Sequence, residues 1–93
     1  MNYGAAVRRA RALRGLSQKE LAAAADVNAS YISLIEAGRR TPTTSVLEAI
    51  AKVLRFPLHL IILLASEDED LQGISKKEAQ ALGRQLLEML VIR

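Results

Sequence analysis

The residues with reactive side chains are few in this sequence, and they do not form a catalytic group. The 93 residues include no cysteine and a single histidine, His59, so a thiolate site or a histidine cluster for a metal ion is not expected. Residues 67–70 bring four carboxylates together, but the surrounding stretch is polar and offers no pocket that would tune an acid or a base. We therefore expect no enzyme, no metal ion and no cofactor, and we expect His59 to lie at an interface or to be partly buried.

The basic side chains, in contrast, are distributed unevenly along the chain. Residues 1–45 contain seven Lys or Arg and three Asp or Glu, a net charge of +4, whereas residues 46–93 contain six and seven, a net charge of −1. A basic half of this kind favours a polyanionic partner, usually nucleic acid. The alternative is a solvated arginine-rich face, to which Arg8, Arg9 and Arg14 would belong.

Helical periodicity runs through the whole chain, and the alternation typical of strands is absent. Aromatic residues make up 3% of the sequence, so the core must consist of Leu, Ile, Val and Ala. Helix start signals occur as capping boxes, as N-caps and as a first-turn proline. They are Ser17 with Glu20, Asn28, Thr43 or Thr44, Pro57, and Ser75 with Glu78. These signals and the apolar spacing predict helices at about 4–14, 18–25, 29–37, 44–54, 57–65 and 75–92.

The second and third predicted helices are joined by only three residues, 26–28. Ala22 must be small because the following helix crosses close to its Cβ, and Asp26 tolerates the left-handed backbone that the turn needs. Both features are typical of a helix-turn-helix unit, here residues 17–37. The third helix then presents small or uncharged side chains outward, where they would lie against DNA base edges. The residues predicted to read bases are Ala29, Ser30, Ser33 and Leu34.

Three segments of the sequence, GLSQKELA, SYIS-IE-GRR-P and L--IAK-L, carry a family resemblance in their order and spacing. Over roughly residues 5–65 the sequence resembles the phage repressor and Cro-like (XRE-type) helix-turn-helix DNA-binding proteins. The resemblance implies an all-α fold with a five-helix repressor-like DNA-binding domain, residues 1–66. It also implies double-stranded DNA as the partner, bound at a pseudo-palindromic operator by a two-fold dimer.

The resemblance implies roles for individual residues as well. Gln18 would hold a backbone phosphate, and Arg11 and Glu36 would form a buried ion pair between the first and third helices. Tyr31 would either donate its hydroxyl to a phosphate or pack its ring over the turn. Arg39 and Arg40 would contact phosphates from the loop after the recognition helix, the alternative being a solvated turn. The implied phosphate-binding or backbone-positioning residues are Gln18, Asn28, Tyr31, Arg39, Arg40 and Thr43.

Two positions depart from the family pattern. Asp26 replaces the turn glycine, which bears on the local geometry of the turn and not on the fold. Ala29 occupies a position that is often polar in the family. An alanine can touch a thymine methyl group but cannot make a bidentate contact to a purine. We therefore expect limited direct readout by this helix, with DNA shape contributing more of the specificity.

The C-terminal segment lies outside the resemblance. Residues 67–74 are predicted to form an acidic linker, and residues 75–93 are predicted to form an amphipathic helix for dimerisation. The apolar stripe of this helix needs a cover, either its own domain near Leu13 and the fifth helix, or a second copy of the chain. Leu13 would accordingly be covered by the last helix or remain a single exposed leucine. The predicted dimer interface consists of Leu58, Ile62, Leu82, Leu86 and Leu90.

Together these features predict a sequence-specific transcriptional regulator, a repressor that binds an inverted repeat as a homodimer through the helix at 28–37. The alternative is an antitoxin-like or adaptor protein whose last helix docks on a different protein. The N-terminal residues lack the apolar region of a secretory signal. The longest apolar run, residues 57–65, is too short for a bilayer, which needs about 20 residues. We therefore expect a cytoplasmic protein.

Overall fold

The computed structural model describes residues 1–67 and 72–91, and these residues form six α-helices and no strand. Within this part of the chain, the all-α prediction is confirmed. The helices are α1 (Tyr3–Leu13), α2 (Gln18–Ala25), α3 (Ala29–Glu36), α4 (Thr44–Leu54), α5 (Leu58–Ala65) and α6 (Lys76–Val91). No helix among the described residues is long and apolar enough to cross a membrane.

Local side-chain hydrogen bonds set most of the helix starts. Ser17 and Glu20 form the predicted capping box, because Ser17 Oγ accepts from the Glu20 N–H at 3.0 Å and the Glu20 carboxylate accepts from the Ser17 N–H at 2.9 Å. Thr43 caps α4 by accepting from the Val46 N–H at 3.2 Å. Pro57 departs from its prediction, since it takes the N-cap position with an extended ψ of 142° and α5 begins one residue later.

A single apolar core joins the first five helices. α1 packs against α3, α4 and α5, and α2 packs against α3 and α4. The core consists of small and branched aliphatic side chains with one phenylalanine, as the composition predicts. Its buried hydrophobic residues are Ala6, Val7, Ala10, Leu21, Ala22, Ile32, Ile35, Leu47, Ile50, Ala51, Leu54, Phe56, Leu60, Ile61 and Ala65.

Gly4 fixes how closely α1 approaches the end of α3. A Cβ at this position would collide with the carbonyl oxygen of Ile35 and would lie 3.0 Å from that of Glu36. Because a glycine stands there, the two backbones touch directly. The close approach brings Arg11, two turns further along α1, within reach of the last residue of α3.

Arg14 is exposed, as the sequence predicts, but it also makes contacts that the sequence does not predict. Its Nε donates to the Leu54 carbonyl at 2.6 Å, and its Nη2 donates to the Arg55 carbonyl at 3.2 Å. The guanidinium carbon lies 4.2 Å from the centre of the Phe56 ring. Arg14 therefore holds the C-terminal end of α4, where helix carbonyls lack intrahelical partners and where Arg55 adopts a left-handed φ of 58°.

Candidate nucleic-acid interface

The turn between α2 and α3 has the geometry that the sequence predicts. Asp26 lies in the left-handed region with φ 57° and ψ 45°. The Val27 N–H donates to the Ala22 carbonyl at 3.0 Å, which closes the end of α2. The Ala22 side chain is 2% exposed, and the helix that carries it packs against α3 and α4. The turn therefore sets the direction of α3 without a glycine.

The exposed side of α3 carries uncharged side chains. Ser30 and Ser33 are exposed, whereas Ala29 and Leu34 are half-buried. Ala29 also packs against the core. Of the four predicted base-reading residues, the two serines are thus the exposed ones.

Asn28 begins α3 with two hydrogen bonds to Ser30. Its side-chain oxygen accepts from the Ser30 N–H at 2.9 Å and from the Ser30 hydroxyl at 2.8 Å. An N-cap of this kind uses only the oxygen of the amide. The amide nitrogen of Asn28 is left to donate in another direction, which is the property that a phosphate contact requires.

Arg11 and Glu36 meet in a bidentate ion pair. Arg11 Nε lies 2.7 Å from Glu36 Oε2 and Nη2 lies 2.9 Å from Oε1, while Nη1 donates to the Leu16 carbonyl at 2.8 Å. The side chains are 17% and 4% exposed. Glu36 is the one buried charged group among the described residues. The family resemblance implies both members of this ion pair.

The charge of Glu36 is maintained by its neighbours. Burial favours the neutral acid, but the hydrogen bonds from Arg11 and Gln18 and the positive charges of Arg11 and Arg8 outweigh it. Together they hold the pKa of Glu36 below its ordinary value. The hydrogen bond to Glu36 correspondingly raises the pKa of Arg11. Both groups are therefore ionised at neutral pH.

Gln18, which the resemblance implies as a phosphate contact, is attached to the same carboxylate. Its Nε2 donates to Glu36 Oε1 at 3.1 Å, and the residue is half-buried at the first position of α2. An amide nitrogen carries two hydrogens, so the second remains for another acceptor. The sequence alone does not reveal this link, because the two residues are 18 positions apart.

The loop after α3 places cations and a hydroxyl beside the recognition helix. Arg39, Arg40 and Thr43 are exposed. The guanidinium carbon of Arg40 lies 5.0 Å from the centre of the half-buried Tyr31 ring. The Tyr31 ring contacts both the core and Arg40, and both alternatives for this residue, a phosphate contact through its hydroxyl and packing over the turn, stay predictions.

The predicted dimer surface is described only in part. On α5, Leu58 is half-buried against the core and Ile62 is 37% exposed. Leu13 is 74% exposed, and His59 is exposed. Leu82, Leu86 and Leu90 belong to α6, but their side chains are not among those that the structure describes.

The sequence analysis did not predict the interactions of two arginines in α1 and just after it. Arg14 holds the end of α4, and Arg8 contributes positive charge toward Glu36. Neither has a sequence signal, because an arginine on a helix is ordinarily solvated. Within residues 1–67 and 72–91, no three His, Asp or Glu side chains lie close enough to hold a metal ion.

The three-residue turn, the uncharged exposed side of α3 and the donors around it define a helix-turn-helix DNA-binding protein. Comparison with known families agrees, and the chain belongs to the Helix-turn-helix family, whose model matches residues 7–61. The XRE-type resemblance seen in the sequence is therefore confirmed, and the family is not enzymatic.

Named relatives are transcription regulators. Two proteins called Transcriptional regulator ClgR, from Mycobacterium tuberculosis strains CDC 1551 / Oshkosh and ATCC 25618 / H37Rv, are each 36% identical to this chain over 64 residues. The match covers 69% of this chain and 57% of each relative, so the chain spans little more than half of their length. The crystal structure of the clp gene regulator ClgR from Corynebacterium glutamicum superposes with a TM-score of 0.69 at 28% identity. That alignment covers 99% of this chain and 93% of the other.

Proposed function

We propose that this protein is a cytoplasmic, sequence-specific transcriptional repressor that binds an inverted-repeat operator as a homodimer, with α3 in the major groove. One observation carries the proposal. The exposed side of α3 offers the uncharged hydroxyls of Ser30 and Ser33, while donors and cations surround it at both ends. Base edges require small polar groups, and phosphates require positive charge and N–H donors.

The phosphate contacts in this proposal come from three places on the domain. Gln18 stands at the start of α2 and Asn28 at the start of α3, each with an amide N–H beyond those used inside the protein. Arg39, Arg40 and Thr43 follow α3 in an exposed loop. Together they would fix the position of α3 on the duplex, and the serines would then read the bases.

The limited chemistry of α3 affects how specificity would arise. Ala29 and Leu34 present apolar surface that suits a thymine methyl group, and neither can form a hydrogen bond to a base through its side chain. Two serines supply few direct contacts. Sequence-dependent shape and flexibility of the operator would therefore contribute much of the discrimination.

A homodimer is supported by the apolar surface beyond the helix-turn-helix unit. α5 exposes Ile62 and Leu64, 37% and 36% exposed, and α6 repeats apolar residues at helical spacing. Two copies joined through α5 and α6, using Leu58, Ile62, Leu82, Leu86 and Leu90, would bury this surface. They would also place two recognition helices about 34 Å apart, one turn of DNA.

Selection of bound sequences from random DNA, with the mass of the protein measured in solution, tests the proposal. The expected result is a dimeric mass and an inverted repeat whose half-sites are one DNA turn apart. A stop codon after Ser66 should weaken both dimerisation and operator binding. If the chain selected no sequence, or if the truncated chain remained dimeric and bound as tightly, the proposal would need to be replaced.

A second candidate function is favoured by the exposure of Leu13. An apolar side chain that is 74% exposed at the end of α1 leaves surface for another protein. In an antitoxin-like or adaptor protein, α6 would dock on a different chain. Co-purification of one defined partner with the full-length chain, lost on truncation after Ser66 while the truncated chain stays dimeric, would support this function over the first.

A further inference from the structure

Asn28 and Ser30 determine each other's hydrogen-bonding roles at the start of α3. Asn28 Oδ1 lies 2.9 Å from the Ser30 backbone nitrogen and 2.8 Å from Ser30 Oγ. The backbone N–H can only donate, so the atom of Asn28 that faces Ser30 is the amide oxygen and not the amide nitrogen. An amide oxygen can only accept. The Ser30 hydroxyl must therefore be the donor in the second bond.

This bond leaves the two side chains with opposite properties on their outer sides. A serine hydroxyl has one hydrogen and two lone pairs. Because its hydrogen is directed at Asn28, exposed Ser30 Oγ offers only lone pairs to a ligand. Both lone pairs of Asn28 Oδ1 are in turn occupied by Ser30. Asn28 can thus offer only its amide N–H groups, which suit a phosphate oxygen.

We propose that Ser30 is a specificity-determining residue that accepts a hydrogen bond from a base amino group, adenine N6 or cytosine N4, and that Asn28 imposes this choice. The inference rests on the proposed function, because it assumes that α3 enters the major groove. In that groove adenine and cytosine present amino donors, whereas guanine and thymine present acceptors at O6 and O4. An acceptor-only hydroxyl therefore selects adenine or cytosine on the strand that it approaches.

The choice has a consequence for the operator as a whole. Every base pair carries one amino group in the major groove, on adenine or on cytosine. Ser30 therefore distinguishes which strand of the pair carries the adenine or the cytosine. It does not distinguish an A·T pair from a G·C pair. The selected position should accept adenine and cytosine about equally on one strand, and it should exclude guanine and thymine there.

The test is selection from random DNA with the full-length chain and four variants. Ser30→Ala identifies the base pair that Ser30 reads, because preference should vanish only there. Asn28→Gly removes the acceptor, and glycine is well tolerated at the start of a helix. Asn28→Asp keeps an acceptor oxygen at the same place. Ser33→Ala is the matched control, an exposed serine one turn further along α3.

Wild-type protein should prefer adenine or cytosine at the Ser30 position by about three- to tenfold, the effect of one hydrogen bond. Asn28→Gly should reduce this ratio to less than about twofold, since the freed hydroxyl can then donate or accept. Asn28→Asp should keep the ratio even if overall affinity falls. Ser33→Ala should change a different base pair and leave this one intact.

The possible failures can be told apart. If Ser30→Ala alters one position but Asn28→Gly leaves the preference unchanged there, or if that position prefers guanine or thymine, this inference is wrong and the proposed function stands. If Ser30→Ala changes no position in a selective protein, Ser30 does not read bases. If the wild-type chain shows no sequence preference at all, both the inference and the proposed function are overturned.

Discussion

Arg11 of α1 and Glu36 of α3 are 25 residues apart in the chain and meet through two charge-assisted hydrogen bonds, at 2.7 and 2.9 Å. The same carboxylate accepts from Gln18 at 3.1 Å. A bidentate pair of this kind is directional as well as attractive. It therefore joins the ends of three helices, and it places Gln18 beside the helix that we propose enters the DNA groove.

Arg11 and Glu36 should be energetically coupled. Changing Glu36→Gln or Arg11→Met leaves the other charge buried without its partner, and this should lower the free energy of unfolding by about 3–5 kcal/mol. The double variant should lose much less than the sum of the two single changes. Urea denaturation of the wild type, the two single variants and the double variant gives this double-mutant cycle.

Arg9→Ala, which changes an exposed arginine on α1, is the control and should change the free energy of unfolding by less than about 0.5 kcal/mol. Additive losses would show that the pair is not coupled.

Glu36 should also make the stability of the fold depend on pH in the acidic range. Its pKa is lower in the folded protein than the ordinary value of 4.5, because Arg11 and Gln18 stabilise the carboxylate. A depressed folded pKa adds stability above the unfolded pKa, and that stability is lost as the pH falls through the folded pKa. The Tm should accordingly be steady near neutral pH and fall below about pH 4.5.

Glu36→Gln provides the control for the acid dependence, because it removes this carboxylate and should flatten the profile. Part of the slope should survive in that variant, since the hydrogen bonds from Ser17 also lower the pKa of Glu20. An unchanged profile in Glu36→Gln would assign the acid sensitivity to other carboxylates.

Arg14→Ala should destabilise the fold although the residue is on the surface. Two carbonyl groups at the end of α4 lose a charged donor, and Phe56 loses its contact with the guanidinium. The expected loss is about 1–3 kcal/mol in urea denaturation. Arg14→Lys should recover only part of it, because an ammonium group cannot reproduce the planar contact with the ring. A loss equal to that of Arg9→Ala would mean that the contacts contribute no stability.

Arg39→Ala and Arg40→Ala should weaken DNA binding on all sequences alike. Each phosphate neutralised contributes a slope of about −0.9 to the dependence of log Kobs on log salt concentration. Each substitution should therefore make the slope less steep by about one unit, with base preference unchanged. Binding measured between 50 and 200 mM salt, about the range over which such contacts act, gives the slope. An altered base preference with an unchanged slope would contradict the phosphate assignment.

Ser33→Gln should act in the opposite way. The side chain is exposed, so a longer amide should change the free energy of unfolding by less than about 0.5 kcal/mol. The same amide can bond to adenine at N6 and N7 and should shift the preferred half-site toward adenine. Selection from random DNA measures the shift. A loss of stability above about 2 kcal/mol would show that the serine is packed and does not face the groove.

The helix-turn-helix unit is largely predictable from the sequence because its determinants are local. Ser17 and Glu20 are three residues apart, Asn28 bonds two residues ahead, and Asp26 adopts a left-handed conformation that its own side chain tolerates. Interactions between residues two or three positions apart depend on the local order of residues and very little on how the helices pack. Arg11 and Glu36, far apart in sequence, were implied by the family resemblance and not by any local pattern.

Other relationships were decided only when the helices packed. Arg14 reaches carbonyl groups 40 and 41 residues away, Gln18 reaches Glu36, and Leu13 is left exposed at 74%. Each depends on where separate helices cross, and the close approach at Gly4 sets one of those crossings. The sequence by itself therefore determined the helices, most of their caps and the class of protein. The tertiary structure decided which arginine stabilises the fold and which carboxylate holds Gln18, because these contacts arise from packing between residues that local periodicity does not relate.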